Sequence, residues 1–184
     1  MGLPLAMAFA LKKFRVFGLD NDLSKIRNIN ANKNIISSID KNFLKKVIKK
    51  NLIVTNNFNF IKKSDVVIIC VPTPIFIKTK LPMMKYVGEV IKQLSKYSLK
   101  EKLIILECTT YPGTTEEYVL PILKKQNLFL GKNVFLGYSS EREDPGNKKF
   151  SVLKKNIPKL VSGSTDKCLL LVSKVYSKII KKIH

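Results

Sequence analysis

The chain has 184 residues, 45% of them hydrophobic, enough to bury one sizeable core and too apolar for wholesale disorder. No run approaches the roughly 18–20 apolar residues of a membrane-spanning helix; the three scattered cysteines (Cys70, Cys108, Cys168) lack the spacing of a disulfide framework or zinc knuckle, and a lone histidine, His184, excludes His-based metal sites and triads. The formal net charge is +21, but 31 Lys stand against 3 Arg beside 20 Ile and 14 Asn, a bias that A/T-rich codons explain without a nucleic-acid partner.

In chain order, residues 3–13 read as a short helix with Pro4 in its first turn, where proline is tolerated. Residues 14–19 read as a strand ending at DND. A helical pattern over 23–50 breaks around Asn30–Asn34, where Asn32 can take a left-handed turn. LIVT at 52–55 is a short strand, and DVVIICV at 65–71 is apolar throughout, the pattern of a strand covered on both faces. A helix near 84–97 leads to a second buried strand, LIILE at 103–107. Pro112–Gly113 turns the chain, Thr114 and Glu117 have capping-box spacing, and the helix that follows should kink at Pro121. NVFLGY at 133–138 and KLVSG at 159–163 are strands separated by the polar SSEREDPGN, and 166–182 forms an amphipathic terminal helix.

Strands alternating with helices at this spacing predict an α/β fold with a doubly wound, mostly parallel sheet. We expect one domain over 1–163 and a terminal helix over 164–184. In such sheets ligands bind at the carboxyl ends of the strands, so DNDLSK, PTP, CTTYPGTT and SSEREDPGN are the segments to read for chemistry. The amino terminus lacks the pattern of a secretory signal, and Ala6 breaks the myristoylation pattern, so a cytoplasmic location is expected.

Together, GLPLAMAFA, GLDND, ICVPTP, LECTTYPGTTEE and GYSSEREDPGN resemble the UDP-glucose/GDP-mannose dehydrogenase family, in particular the branch acting on UDP-N-acetylhexosamines. The resemblance runs in order over nearly the whole chain. It implies a Rossmann-like NAD domain of an enzyme that oxidises a sugar CH₂OH to a carboxylate with two NAD, through a thiol-bound intermediate, and that is homo-oligomeric when complete. Family members open with a strand running into GxGYVGLPLA. Met1 stands where that motif has its valine, so Gly2 matches the third glycine, and a fold lacking the first strand is expected. The resemblance leads us to expect either a coding sequence that starts further upstream or a broken gene. The family's nucleophilic cysteine would lie beyond residue 184.

The same resemblance assigns roles. Gly2 lets the first helix pack close to the sheet, with Ala6 and Ala10 on the same side. Asp20 accepts the adenosine ribose hydroxyls, and its charge would repel a 2′-phosphate, which favours NAD over NADP. Lys25 lies near the same ribose. Thr73 sits near the cofactor, while Thr109 helps to position a water at the reacting carbon and also belongs to the cofactor side. Glu141 is the acid/base or water-orienting group, and Arg142 faces the sugar nucleotide; Glu143 and Asp144 read as solvated charges. Cys108 replaces a serine beside Thr109 and reads as a small buried residue. Ser140 replaces the family proline before Glu141, which loosens the loop that aims it, and Lys85 adds a charge where the family carries an acid nearby.

The expected partner is a UDP-sugar, with no specific nucleic acid and no membrane. As the resemblance implies, the isolated chain would be inactive for want of the nucleophile and the sugar-nucleotide domain. Two other readings stay open: a non-catalytic remnant, or half of a split enzyme that pairs with a separately encoded C-terminal half. A basic nucleic-acid-binding protein is the third.

Overall fold

The computed structural model describes residues 2–33, 41–141 and 157–184. These fall into two compact units. The first comprises 2–33, 41–60, 157–158 and 176–182, and the second 61–141, 159–175 and 183–184.

In the first unit, helix α1 (Gly2–Leu11) leads into strand β1 (Val16–Leu19), followed by α2 (Leu23–Asn30), α3 (Lys41–Val47) and β2 (Leu52–Thr55). Strands β1 and β2 run parallel, in register from Val16 opposite Leu52 to Leu19 opposite Thr55. Period-two alternation decides what this pair buries: Leu52 and Val54 are enclosed while Ile53 between them is exposed. The covered face packs with Met7 and Ala10 of α1, Ile26 and Ile29 of α2, and Leu44 and Val47 of α3. Ala6 packs against the same cluster as Ala10. Asn30 Nδ2 donates to the Val54 carbonyl at 3.0 Å and Asn51 Nδ2 to the Ala10 carbonyl at 3.2 Å, tying helices to strand. The expected break between α2 and α3 is present, and Asn32 takes φ 54°.

The second unit is a four-stranded sheet in the order β3 (Val66–Ile69), β4 (Leu103–Leu106), β5 (Phe135–Ser139), β6 (Val161–Gly163). The first three are parallel, and β6 adds antiparallel at the edge. Its helices are α4 (Lys85–Leu94), α5 (Leu120–Lys125) and α6 (Asp166–Tyr176). All four residues of β4 are buried, as its uninterrupted apolar run requires of a central strand. In β3, expected to be covered on both faces, only Ile69 is buried; β3 pairs with β4 alone among the described residues and is the outer strand of its sheet.

Two local expectations are corrected. Thr114 does not cap a helix: its backbone is already helical (φ −58°, ψ −38°). Its hydroxyl donates to the Tyr111 carbonyl at 2.7 Å, and Glu117, the would-be partner, accepts a hydrogen bond from the Tyr111 hydroxyl instead. The segment then runs as a π-helical turn over Thr115–Val119 before α5 begins, with Pro121 in its first turn. The terminal helix, expected to reach 182, ends at Tyr176, because the last residues extend so that Ile183 bridges to Lys159. No helix among the described residues is long and apolar enough to cross a membrane.

Candidate functional site

The sequence-predicted residues fall into two groups, one in each unit. In the first unit, Asp20 follows β1 directly, and its amide donates to the Thr55 carbonyl at 3.3 Å, which holds the end of the strand in register. Asp20 Oδ1 accepts from the Asp22 amide at 2.9 Å, an Asx turn that orients the carboxylate. Asp22 caps α2, its Oδ1 accepting from the amides of Ser24 (2.9 Å) and Lys25 (3.1 Å). The Lys25 amide, with that of Ser24, holds the Asp22 carboxyl below its ordinary value. Lys25 Nζ lies 3.9 Å from Asp20 Oδ2 and 3.8 Å from Asp22 Oδ2, so the predicted pair Asp20–Lys25 is together and half-exposed. Gly2 opens α1, whose first turn carries no acidic side chain.

The second group gathers at the carboxyl ends of β3, β4 and β5. The Thr73 hydroxyl donates to the Thr109 carbonyl, which joins the loop after β3 to the loop after β4. The Tyr138 hydroxyl donates to the Cys108 carbonyl at 3.1 Å, tying the β4 loop to β5 as well. Thr109 is exposed, and Glu141, two residues past β5, is half-buried. Burial first, then the carboxylates of Glu107 and Glu141, push the Cys70 thiol well above its ordinary range, with the Lys159 ammonium opposing them. Lys159 Nζ, bonded both to Glu107 and to the Ser140 carbonyl, brings the ends of β4 and β5 together. Arg142, Glu143 and Asp144 lie outside the described residues.

Cys108 is fully buried, and burial together with Glu107 raises its thiol to about 11. A thiol held that high is not poised as a nucleophile at neutral pH, which agrees with its reading as a small buried residue. Sequence reasoning passed over Glu107 and Lys159. Each is 1% exposed, and the Lys159 ammonium donates to Glu107 Oε1. The available signal was a charged residue at the edge of an apolar strand, LIILE and KLVSG, where burial demands a partner.

An exposed hydroxyl at one strand end with a carboxylate after the neighbouring strand can order a water and hold or move its proton. Residues 1–180 match the UDP-glucose/GDP-mannose dehydrogenase family, NAD binding domain. The chain belongs to this family. It is 36% identical over 184 residues to Protein CapL of Staphylococcus aureus, covering 98% of this chain and 41% of that protein. To UDP-N-acetyl-D-glucosamine 6-dehydrogenase of Pseudomonas aeruginosa it is 35% identical over 181 residues, covering 98% and 42%. Among solved structures, UDP-D-ManNAc dehydrogenase from Pyrococcus horikoshii aligns over 99% of this chain and 43% of its own, with a TM-score of 0.85 and 28% identity. The chain thus spans about two fifths of the length of the curated relatives it matches.

The architecture is the expected α/β, Rossmann-type fold with mostly parallel pairing. The first unit fits NAD: a carboxylate at a strand end can accept from paired ribose hydroxyls, and a helix whose first turn carries no acid leaves its positive end for a phosphate.

Proposed function

We propose that this chain is the NAD-binding part of a nucleotide-sugar 6-dehydrogenase that oxidises the CH₂OH of a UDP-N-acetylhexosamine to a carboxylate, with UDP-glucose as the alternative substrate. The observation that carries the proposal is the coupling of Thr73 to Thr109 at the ends of two parallel strands, with Glu141 after the third. Relatives named as UDP-N-acetyl-D-glucosamine and UDP-N-acetyl-D-mannosamine dehydrogenases support the hexosamine reading. Bound NAD would supply the hydride acceptor. Asp20 would accept from the adenosine ribose, Lys25 would flank it, and Gly2 would sit at the helix end that faces the diphosphate. Thr73 would hold the Thr109 loop, Thr109 would position a water, and Glu141 would orient that water and take its proton. Arg142 would face the sugar nucleotide, and 1–163 would form the cofactor domain, with 164–184 leading onward.

The test is calorimetric titration with NAD and NADP. Asp20→Asn removes a charged acceptor worth about 1.5–3 kcal/mol, so NAD should weaken by roughly tenfold or more and discrimination against NADP should shrink. Equal affinity of wild type and variant, or no NAD binding by the wild type at millimolar concentration, refutes the assignment. Incubation of this chain with NAD and UDP-sugars should yield no NADH, because neither buried Cys108 nor Cys70, with its raised thiol, is a ready nucleophile. Sustained turnover would contradict that.

A further inference from the structure

We propose that Lys159 is a positioning residue whose buried ammonium fixes, through Glu107 and Ser140, the two loops that carry Thr109 and Glu141. The inference rests on the reading of those two residues as the reacting centre. Lys159 Nζ donates to Glu107 Oε1 and, at 3.2 Å, to the Ser140 carbonyl. Glu107 ends the β4 ladder, its amide donating to the Ile69 carbonyl at 2.9 Å, and it lies two residues before Thr109. Ser140 lies directly before Glu141. One ammonium therefore reaches the roots of both loops.

Its own backbone is anchored independently. Lys159 bridges to Ile183, its carbonyl accepts from the His184 amide at 2.9 Å, and the Val161 amide donates to the His184 carbonyl at 2.9 Å. The Ser139 hydroxyl adds a 2.9 Å bond to the Leu160 carbonyl. The first three contacts tie this segment to the C-terminal residues, and the last, with the antiparallel β5–β6 pairing, holds those two strands side by side without the ammonium. A buried ion pair is seldom a net source of stability, because desolvation of both charges offsets their attraction and well-packed apolar residues do as well. What the charge adds here is aim. The Lys159 bond to the Ser140 carbonyl restrains the peptide directly before Glu141.

Lys159→Met alone strands a buried carboxylate, so the decisive variant is the double replacement Glu107→Leu with Lys159→Met in the full chain. Its melting temperature should stay within a few degrees of wild type. Amide hydrogen exchange should accelerate at least tenfold at 108–110 and 140–141, with β4 and β5 interiors unchanged, and Lys159→Arg should keep the wild-type pattern. Where the wild type binds NAD, the double variant should lose at least tenfold in NAD affinity and retain its affinity for ADP-ribose. Unchanged exchange at both loops, or a uniform rise across the sheet, overturns the proposal. Should the double variant not fold, wild-type NMR decides: a Lys159 ammonium signal slow to exchange, with a cross-peak to the Glu141 amide, supports it, and absence of that contact overturns it. The exchange and NMR measurements need no cofactor, so failure of the NAD titration and failure of this inference are separate outcomes.

Discussion

The junction of β6 with α6 offers the sharpest quantitative test of the packing. A Cβ at Gly163 would sit 2.2 Å from the Leu169 amide nitrogen and 2.7 Å from both the Cys168 carbonyl carbon and Leu169 Cα. Those atoms are helix backbone and cannot swing aside as a side chain does. Ordinary contact begins near 3.4 Å, so Gly163→Ala has to drive the first turns of α6 roughly an ångström off the sheet. Cys168 and Val172, both fully buried, would lose contacts as the helix lifts. Overpacking of this kind costs about 1–3 kcal/mol, and the backbone clash places it at the upper end. For a chain of this size that lowers the melting temperature by roughly 6–12 °C. Urea unfolding followed by far-UV circular dichroism measures it. Gly88→Ala is the matched control: the new Cβ meets only Tyr118 Cε1 at 3.9 Å within α4, and a helix-interior glycine replaced by alanine should gain about 0.5–1 kcal/mol. A Gly163→Ala protein within about 0.5 kcal/mol of wild type would refute the argument.

Three more outcomes are expected. With its thiol held at about 11, Cys108 at pH 8 is ionised roughly a hundredfold less than an ordinary cysteine, so residue-resolved mass spectrometry should show alkylation at least that much slower in the native chain than in urea. The Asp22 carboxyl sits below its ordinary value of 3.8 because backbone amides bond its charged form. Its capping contribution is therefore complete above that value and lost as the pH falls through the lowered one, and Asp22→Asn should flatten the stability profile below pH 4 while leaving pH 7 little changed. Charge-driven binding of DNA or RNA should disappear by about 0.15–0.2 M salt in a filter or anisotropy assay; sequence-selective binding that survives would restore the nucleic-acid reading.

How much of this was legible in the sequence differs by the range of the interaction involved. Strand positions came within a residue or two wherever an apolar run was short and bounded, as at LIVT and LIIL, because burial of such a run leaves few alternatives. Asn32 was legible too, since few residues accept a positive φ between two helices. The capping box at Thr114 failed because its spacing is a local pattern, whereas the Tyr111 hydroxyl competed for Glu117 from the preceding turn. That bond is also the first cause that raises the Tyr111 hydroxyl to about 12.

Pairing across 52 residues is a different matter. Nothing near Lys159 in the chain announces Glu107, and among 31 lysines its place at the edge of an apolar strand is a signal that does not name its partner. What separates it is burial: a lysine 1% exposed has to have its charge met, and the sheet order β4-β5-β6 supplies both the carboxylate and the carbonyl that meet it. The segments singled out from sequence, CTT and SSER, hold the groups proposed to act at the site; Glu107 and Lys159, proposed to aim Thr109 and Glu141, become visible only once topology is known. In a parallel sheet, where each strand end is a separate loop, an ion pair beneath the loops is the economical way to make several ends act as one surface.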